Sequence, residues 1–117
     1  MNSETEIKNI CYACGLELRD YPYDPETLTP NPEAICPCCG IHYGYDDEGA
    51  GSIISDELAY SGWKFGDTNH KKIMKIWREH WINDGMKWKH NDPVSLSERP
   101  INWNPKKQLE NIPEHFR

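Results

Sequence analysis

Phenylalanine is scarce in this chain, with two among 117 residues, and basic side chains are nearly missing from its first half. Five tryptophans and six tyrosines stand in its place, so the core is expected to be built from large rings with polar edges rather than from aliphatic layers. Before Gly62, Lys8 and Arg19 face twelve carboxylates for a net charge of −10, while the remainder carries +4. An acidic first half argues against an approach to nucleic-acid phosphates. No stretch nears the ~20 apolar residues of a membrane span. There is no nucleophile signature and no glycine-rich phosphate loop after a strand, so nothing in the sequence supports catalysis directly, and a non-enzymatic role is expected. Met1–Asn9 holds Glu4, Glu6 and Lys8 and no apolar run, so no secretory signal is expected and a reducing, cytoplasmic setting is read.

What the chain does have is two tight cysteine pairs, Cys11-Tyr-Ala-Cys14-Gly15 and Cys36-Pro-Cys38-Cys39-Gly40. Two cysteines three positions apart can share one ion when the backbone folds into a knuckle, and the residue after the second then needs positive φ, which glycine supplies. A disulfide within either pair would be strained, and five cysteines leave one unpaired. Cys11, Cys14, Cys36 and Cys39 are therefore the candidate ligands of one metal ion. Four thiolates in a closed tetrahedron describe a structural Zn²⁺ site. Iron is the alternative, and such a metal would add an apparent ~10–16 kcal/mol to the folding of a small chain. Cys38, between two ligands, is expected to point outward, and His42 could reach a bound sulfur from outside the ligand set.

The pattern predicts one domain over 1–117, with a metal-binding ribbon at 7–47 and a helical and extended part at 48–117. Alternation in Leu16-Glu17-Leu18 and in Ile41, Tyr43 and Tyr45 predicts short strands around the knuckles. The segment from Tyr21 to Glu33, with four prolines, reads as a loop. The main helix is expected after Asp67 or Thr68 as N-cap, with Ile73, Ile76, Trp77 and Trp81 on its buried face and Gly85 just past its end. Lys71, Lys72, Lys75 and Arg78 are then its solvated face. Ser55 caps a shorter helix over Asp56–Tyr60. Asn104 and Pro105 start a third helix, which Pro113 stops. The fold class is thus α+β, a small zinc-ribbon or rubredoxin-like β portion packed on two or three α-helices. Asp46, Asp47 and Glu48 form an acidic turn expected at the surface. With Trp63 in its glycine-flanked stretch, they are the candidate partner-binding residues.

The two knuckles, Cys-x-x-Cys-Gly and Cys-Pro-x-Cys-Gly, are similar to those of rubredoxins, which would imply iron and one-electron transfer, although 21 residues separate Cys14 from Cys36 and the long tail is foreign to that family. The stretch from Cys36-Pro-Cys38-Cys39-Gly40 to Asp47 also resembles the small bacterial CPCC-type cysteine-rich proteins. That resemblance continues in Trp81-Ile-Asn-Asp-Gly-Met-Lys-Trp88, in Pro100-Ile-Asn-Trp103 and in Gln108-Leu-Glu-Asn-Ile112, about a third of the chain. Tyr12 stands where that pattern would have proline. The resemblance implies a zinc ribbon in a small cytoplasmic protein. It also implies an immunity-type role, binding and blocking a cognate toxin, whose basic surface an acidic ribbon would steer. A nucleic-acid-associated ribbon and an iron electron carrier are the other readings that the residues leave open.

Overall fold

The computed structural model describes residues 7–48 and 53–117. Their regular elements are all helical: α1 (Asp56–Ala59), α2 (Thr68–Asn83), α3 (Pro93–Ser97) and α4 (Pro105–Gln108), with 3₁₀ turns at Asp46–Glu48, Leu109–Asn111 and Glu114–Phe116. The expected β portion is reduced to three isolated antiparallel bridges, Ile10–Glu17, Tyr23–Pro30 and Ile35–His42, and no strand forms among the described residues. The alternation read as strands belongs to the arms of the knuckles. Ile41 and Tyr43 point inward as a strand would place them, but the chain turns at 43–45 and leaves Tyr45 half exposed.

Helix α2 organises the second half. The Asp67 carboxylate accepts from the His70 N–H at 2.8 Å, closing the first turn. At the other end Gly85 takes φ +99°, and Gly85 N–H and Met86 N–H donate to the carbonyls of Ile82 and Trp81 at 3.0 and 2.9 Å. These paired bonds satisfy carbonyls that have no partner within the helix. The buried face is His70, Ile73, Met74, Arg78 and Trp81. It is rotated from the expected one: Ile76 is exposed, Trp77 half-buried, and Arg78, expected in solvent, is inside. Ser55, with its hydroxyl to Leu58 N–H, and Asn104, with its side chain to Lys107 N–H, cap α1 and α4 as the sequence predicts. Helix α3, capped by Asp92 ahead of Pro93, was not anticipated.

The buried residues form one core. Within it lie the cysteine cluster and an aromatic cluster of Tyr12, Tyr23, Tyr43, Trp63, Phe65, His70 and Phe116, with Tyr12 and Phe116 rings 4.6 Å apart and Tyr23 and Phe65 rings 5.0 Å apart. Tyr43 joins them, its ring against Tyr23 and its hydroxyl donating to Cys11 Sγ at 3.1 Å. No helix among the described residues is long and apolar enough to cross a membrane.

Candidate metal centre

Each cysteine pair sits in the same small loop. In the first, Cys11 N–H donates to Leu16 O, Gly15 N–H to Cys11 O and Leu18 N–H to Asn9 O; in the second, Cys36 N–H donates to Ile41 O, Gly40 N–H to Cys36 O and Tyr43 N–H to Ala34 O. Adding 25 to each residue number of the first loop gives the second. Gly15 and Gly40 close the loops at φ +89° and +80°, where a Cβ is unfavourable.

The two loops face each other and bring four sulfurs together. Cys11 and Cys39 Sγ are 3.6 Å apart, as are Cys14 and Cys36 Sγ, and all four lie within 4.8 Å of one another. Bonds of about 2.3 Å from a tetrahedral ion place sulfurs roughly 3.8 Å apart, so the cluster needs little adjustment to hold Zn²⁺ or iron. Cys11, Cys14 and Cys36 are fully buried and Cys39 nearly so, and no cysteine is in a disulfide. Burial pushes the Cys14, Cys36 and Cys39 thiols up. Burial acts the same way on Cys11, but hydrogen bonds from Cys14, Cys36, Cys39 and Tyr43 outweigh it and hold that thiol well below its ordinary value. A metal taken up here would bind thiolates and so expel the thiol protons.

Burying two turns of irregular chain also buries their carbonyls, each of which needs a donor. The second half of the protein supplies them. Arg78 Nε donates to Ala13 O at 2.8 Å, and Arg78 Nη2 donates to Tyr12 O at 2.8 Å and Phe116 O at 2.9 Å. Gln108 Nε2 reaches Cys14 O at 3.1 Å while its Oε1 accepts from Trp103 Nε1 at 2.7 Å, and Asn111 Nδ2 reaches Gly15 O at 3.0 Å. On the second knuckle, His90 N–H and Lys89 N–H donate to Pro37 O and Cys38 O at 2.9 and 2.8 Å, and Trp77 Nε1 donates to Cys39 O at 3.1 Å. Burial lowers the Arg78 guanidinium, and the neighbouring Cys11 and Cys14 sulfurs counter it. Four thiolates with a divalent ion carry a residual −2, which this buried cation partly offsets.

The cysteine spacing thus finds its cluster, while its supporting residues were missed. Arg78 could have been seen in the sequence, since Met74, Arg78 and Trp81 share a face at helical spacing. Gln108 and Asn111 carried no such signal. Cys38 is fully buried rather than outward, with its Sγ accepting from Gln108 Nε2 at 3.4 Å, and it is outside the ligand set. His42 does not reach the sulfurs; its Nε2 meets Pro32 O at 2.5 Å. The acidic turn is only partly available. Asp47 is fully buried, Asp46 is half-buried with its carboxylate accepting from His42 N–H at 2.7 Å, and Glu48 is exposed. The expectation of an exposed Asp47 fails because its Oδ1 is consumed by Gly44 N–H at 2.9 Å. Trp63 is half-buried and donates Nε1 to Asp47 O at 3.2 Å. Comparisons with family models, curated proteins and solved structures each give no match.

Proposed function

We propose that this chain is a non-enzymatic protein-interaction module built on a structural zinc site, of the immunity type that binds and neutralises a cognate toxin. The observation that carries the reading is the enclosure of the cluster. Four buried sulfurs leave a tetrahedral ion no position for water or substrate, so the metal holds the fold and function falls to the surface. One open groove of about 890 Å³ supports this; its walls include Glu48 and Trp63 together with Tyr45, Tyr60, Lys64 and Phe65. Tyrosine and tryptophan are favoured anchors of protein interfaces. Tyr60, on the groove wall, is 70 % exposed. The acidic excess before Gly62 suits a basic partner.

The test is recovery of a partner from the native cell, followed by measured association. Binding should slow as salt rises, and Glu48→Lys or Trp63→Ala should weaken it about tenfold or more with zinc content unchanged. A partner whose affinity ignores salt and both substitutions would refute this surface. A coloured, redox-active protein as purified would favour the iron electron carrier instead.

A further inference from the structure

The walls of the open groove come from three segments, within 27–30, 44–48 and 59–65. Between Arg19 and Lys64 the sequence holds nine carboxylates and no lysine or arginine. Glu48 and Lys64 are the charged residues on the walls, and Glu26, Asp56 and Glu57 stand exposed beside those segments. Glu48 is exposed and has no ion-pair partner among the described residues. The aromatic side of the groove is held from behind. Trp63 Nε1 donates to the Asp47 carbonyl at 3.2 Å, the His70 ring stacks on one indole face at 4.8 Å and 14° from parallel, and the Tyr23 ring stands nearly perpendicular to it at 6.4 Å. These supports are fixed in turn: Gly66 N–H donates to His70 Nδ1 at 2.9 Å, His70 Nε2 meets the Tyr23 hydroxyl at 2.6 Å, and Gly44 N–H and the Tyr23 hydroxyl donate to the Asp47 carboxylate at 2.9 and 3.4 Å. Trp63 keeps its opposite face and outer edge for the groove. Tyr45 is likewise backed by the His42 ring at 4.2 Å, and no ring contact joins Tyr45, Tyr60 and Trp63 among the described residues.

We propose that this groove seats an arginine side chain of the basic partner, its guanidinium over the free face of Trp63 and paired with the Glu48 carboxylate. The inference rests on the interaction reading above and names what that surface recognises. An aromatic face carries negative charge density and attracts a cation within about 6 Å. A planar, weakly hydrated guanidinium stacks on such a face while its in-plane N–H groups stay free for a carboxylate, which a compact ammonium cannot match. An apolar occupant would bury Glu48 unpaired, and an anionic one would meet the surrounding carboxylates. Because Trp63 is already fixed by Asp47, His70 and Tyr23, little freedom is lost on binding. Lys64 is the opposing charge on the walls and should compete with the incoming cation.

The probe is the peptide acetyl-Gly-Arg-Gly-amide, titrated into the zinc-loaded full chain and followed by NMR. Peptides with citrulline or lysine in place of arginine are the neutral and ammonium controls. Saturable shifts are expected at the Trp63 Nε1–H and at the Tyr45 and Tyr60 rings, with a dissociation constant on the order of millimolar for so small a ligand. The lysine peptide should bind about threefold more weakly and the citrulline peptide about tenfold. Glu48→Gln and Tyr60→Ala, both at exposed positions, should each weaken arginine binding about threefold at unchanged zinc content, and Lys64→Gln should tighten it about twofold. Equal binding of the three peptides, or unsaturable shifts spread over the acidic surface, would overturn the proposal. The two readings fail separately. A toxin that binds while the arginine peptide leaves the groove resonances unmoved overturns this inference and leaves the interaction module standing. Saturable arginine binding that Glu48→Gln and Tyr60→Ala weaken upholds the site even where the recovered partner is no toxin.

Discussion

Residues 10–18 and 35–43 make the same turn with the same main-chain bonds, but the rest of the protein holds them differently. The first knuckle hands its carbonyls to side chains, Arg78, Gln108 and Asn111, drawn from α2, α4 and the 3₁₀ turn after it. The second hands two of its three to the main chain of Lys89 and His90 and one to Trp77. Main-chain donors survive almost any substitution; side-chain donors do not. The difference makes the first knuckle the point where single residues couple the metal cluster to the C-terminal part.

The largest expected effect removes a ligand from either knuckle and should be symmetric. Cys14→Ser and Cys39→Ser should each abolish stoichiometric zinc and, with it, an apparent ~10–16 kcal/mol of folding energy. Elemental analysis and circular dichroism with and without chelator read this directly. A variant that keeps one zinc per chain would show that its cysteine is no ligand.

Next come the side-chain donors to the knuckle carbonyls, where the two knuckles should differ. Arg78→Met leaves three buried carbonyls without their donor and the cluster without its cation, an expected loss of about 3–5 kcal/mol in denaturant unfolding. Trp77→Phe removes one donor from the second knuckle and should cost about 1 kcal/mol. Equal losses would mean that the cluster does not depend on how each knuckle is held.

Much of this was legible in local chemistry. The cysteine spacing, the glycines after each pair, Asp67 as a cap, Gly85 beyond the helix end and Asn104-Pro105 all act within a few residues, so sequence order carries them. The misreadings have distant partners. Arg78 reads as part of the solvated face with Lys71, Lys72 and Lys75, and the carbonyls of Tyr12, Ala13 and Phe116, out of reach of local sequence, make its burial tolerable. Asp47 reads as exposed because it lies in an acidic turn next to glycines, although Gly44 and Tyr23 await it inside. The strands failed because period-two alternation also suits a knuckle arm that pairs at a single bridge.

A smaller contrast lies at the closing glycines. A Cβ on Gly15 would stand 2.2 Å from the Gln108 carbonyl oxygen, while one on Gly40 would stand 2.9 Å from Lys89 Cγ. The first obstacle is main chain at a helix end; the second is a flexible side chain that can swing away. Both substitutions carry the cost of positive φ, about 1–2 kcal/mol. Gly15→Ala should add displacement of α4, for about 2–4 kcal/mol in all. If Gly40→Ala proves the more damaging in thermal unfolding, the close approach of α4 to the first knuckle is wrong.

The smallest effect tests whether the fifth cysteine matters to the metal at all. Under the 25-residue correspondence Cys38 occupies the place of Ala13, so Cys38→Ala makes the second knuckle resemble the first. The change removes one buried sulfur and a weak acceptor for Gln108 Nε2, whose better partner, Cys14 O, remains at 3.1 Å. A loss of about 1 kcal/mol from the small cavity is expected, with zinc held at one per chain. The variant should also bind metal over the same pH range as wild type, because Cys11, Cys14, Cys36 and Cys39 still release the protons. A fall in zinc content, or a shift of the midpoint of metal release to higher pH, would show that Cys38 substitutes for one of the four and that the ligand set is not fixed.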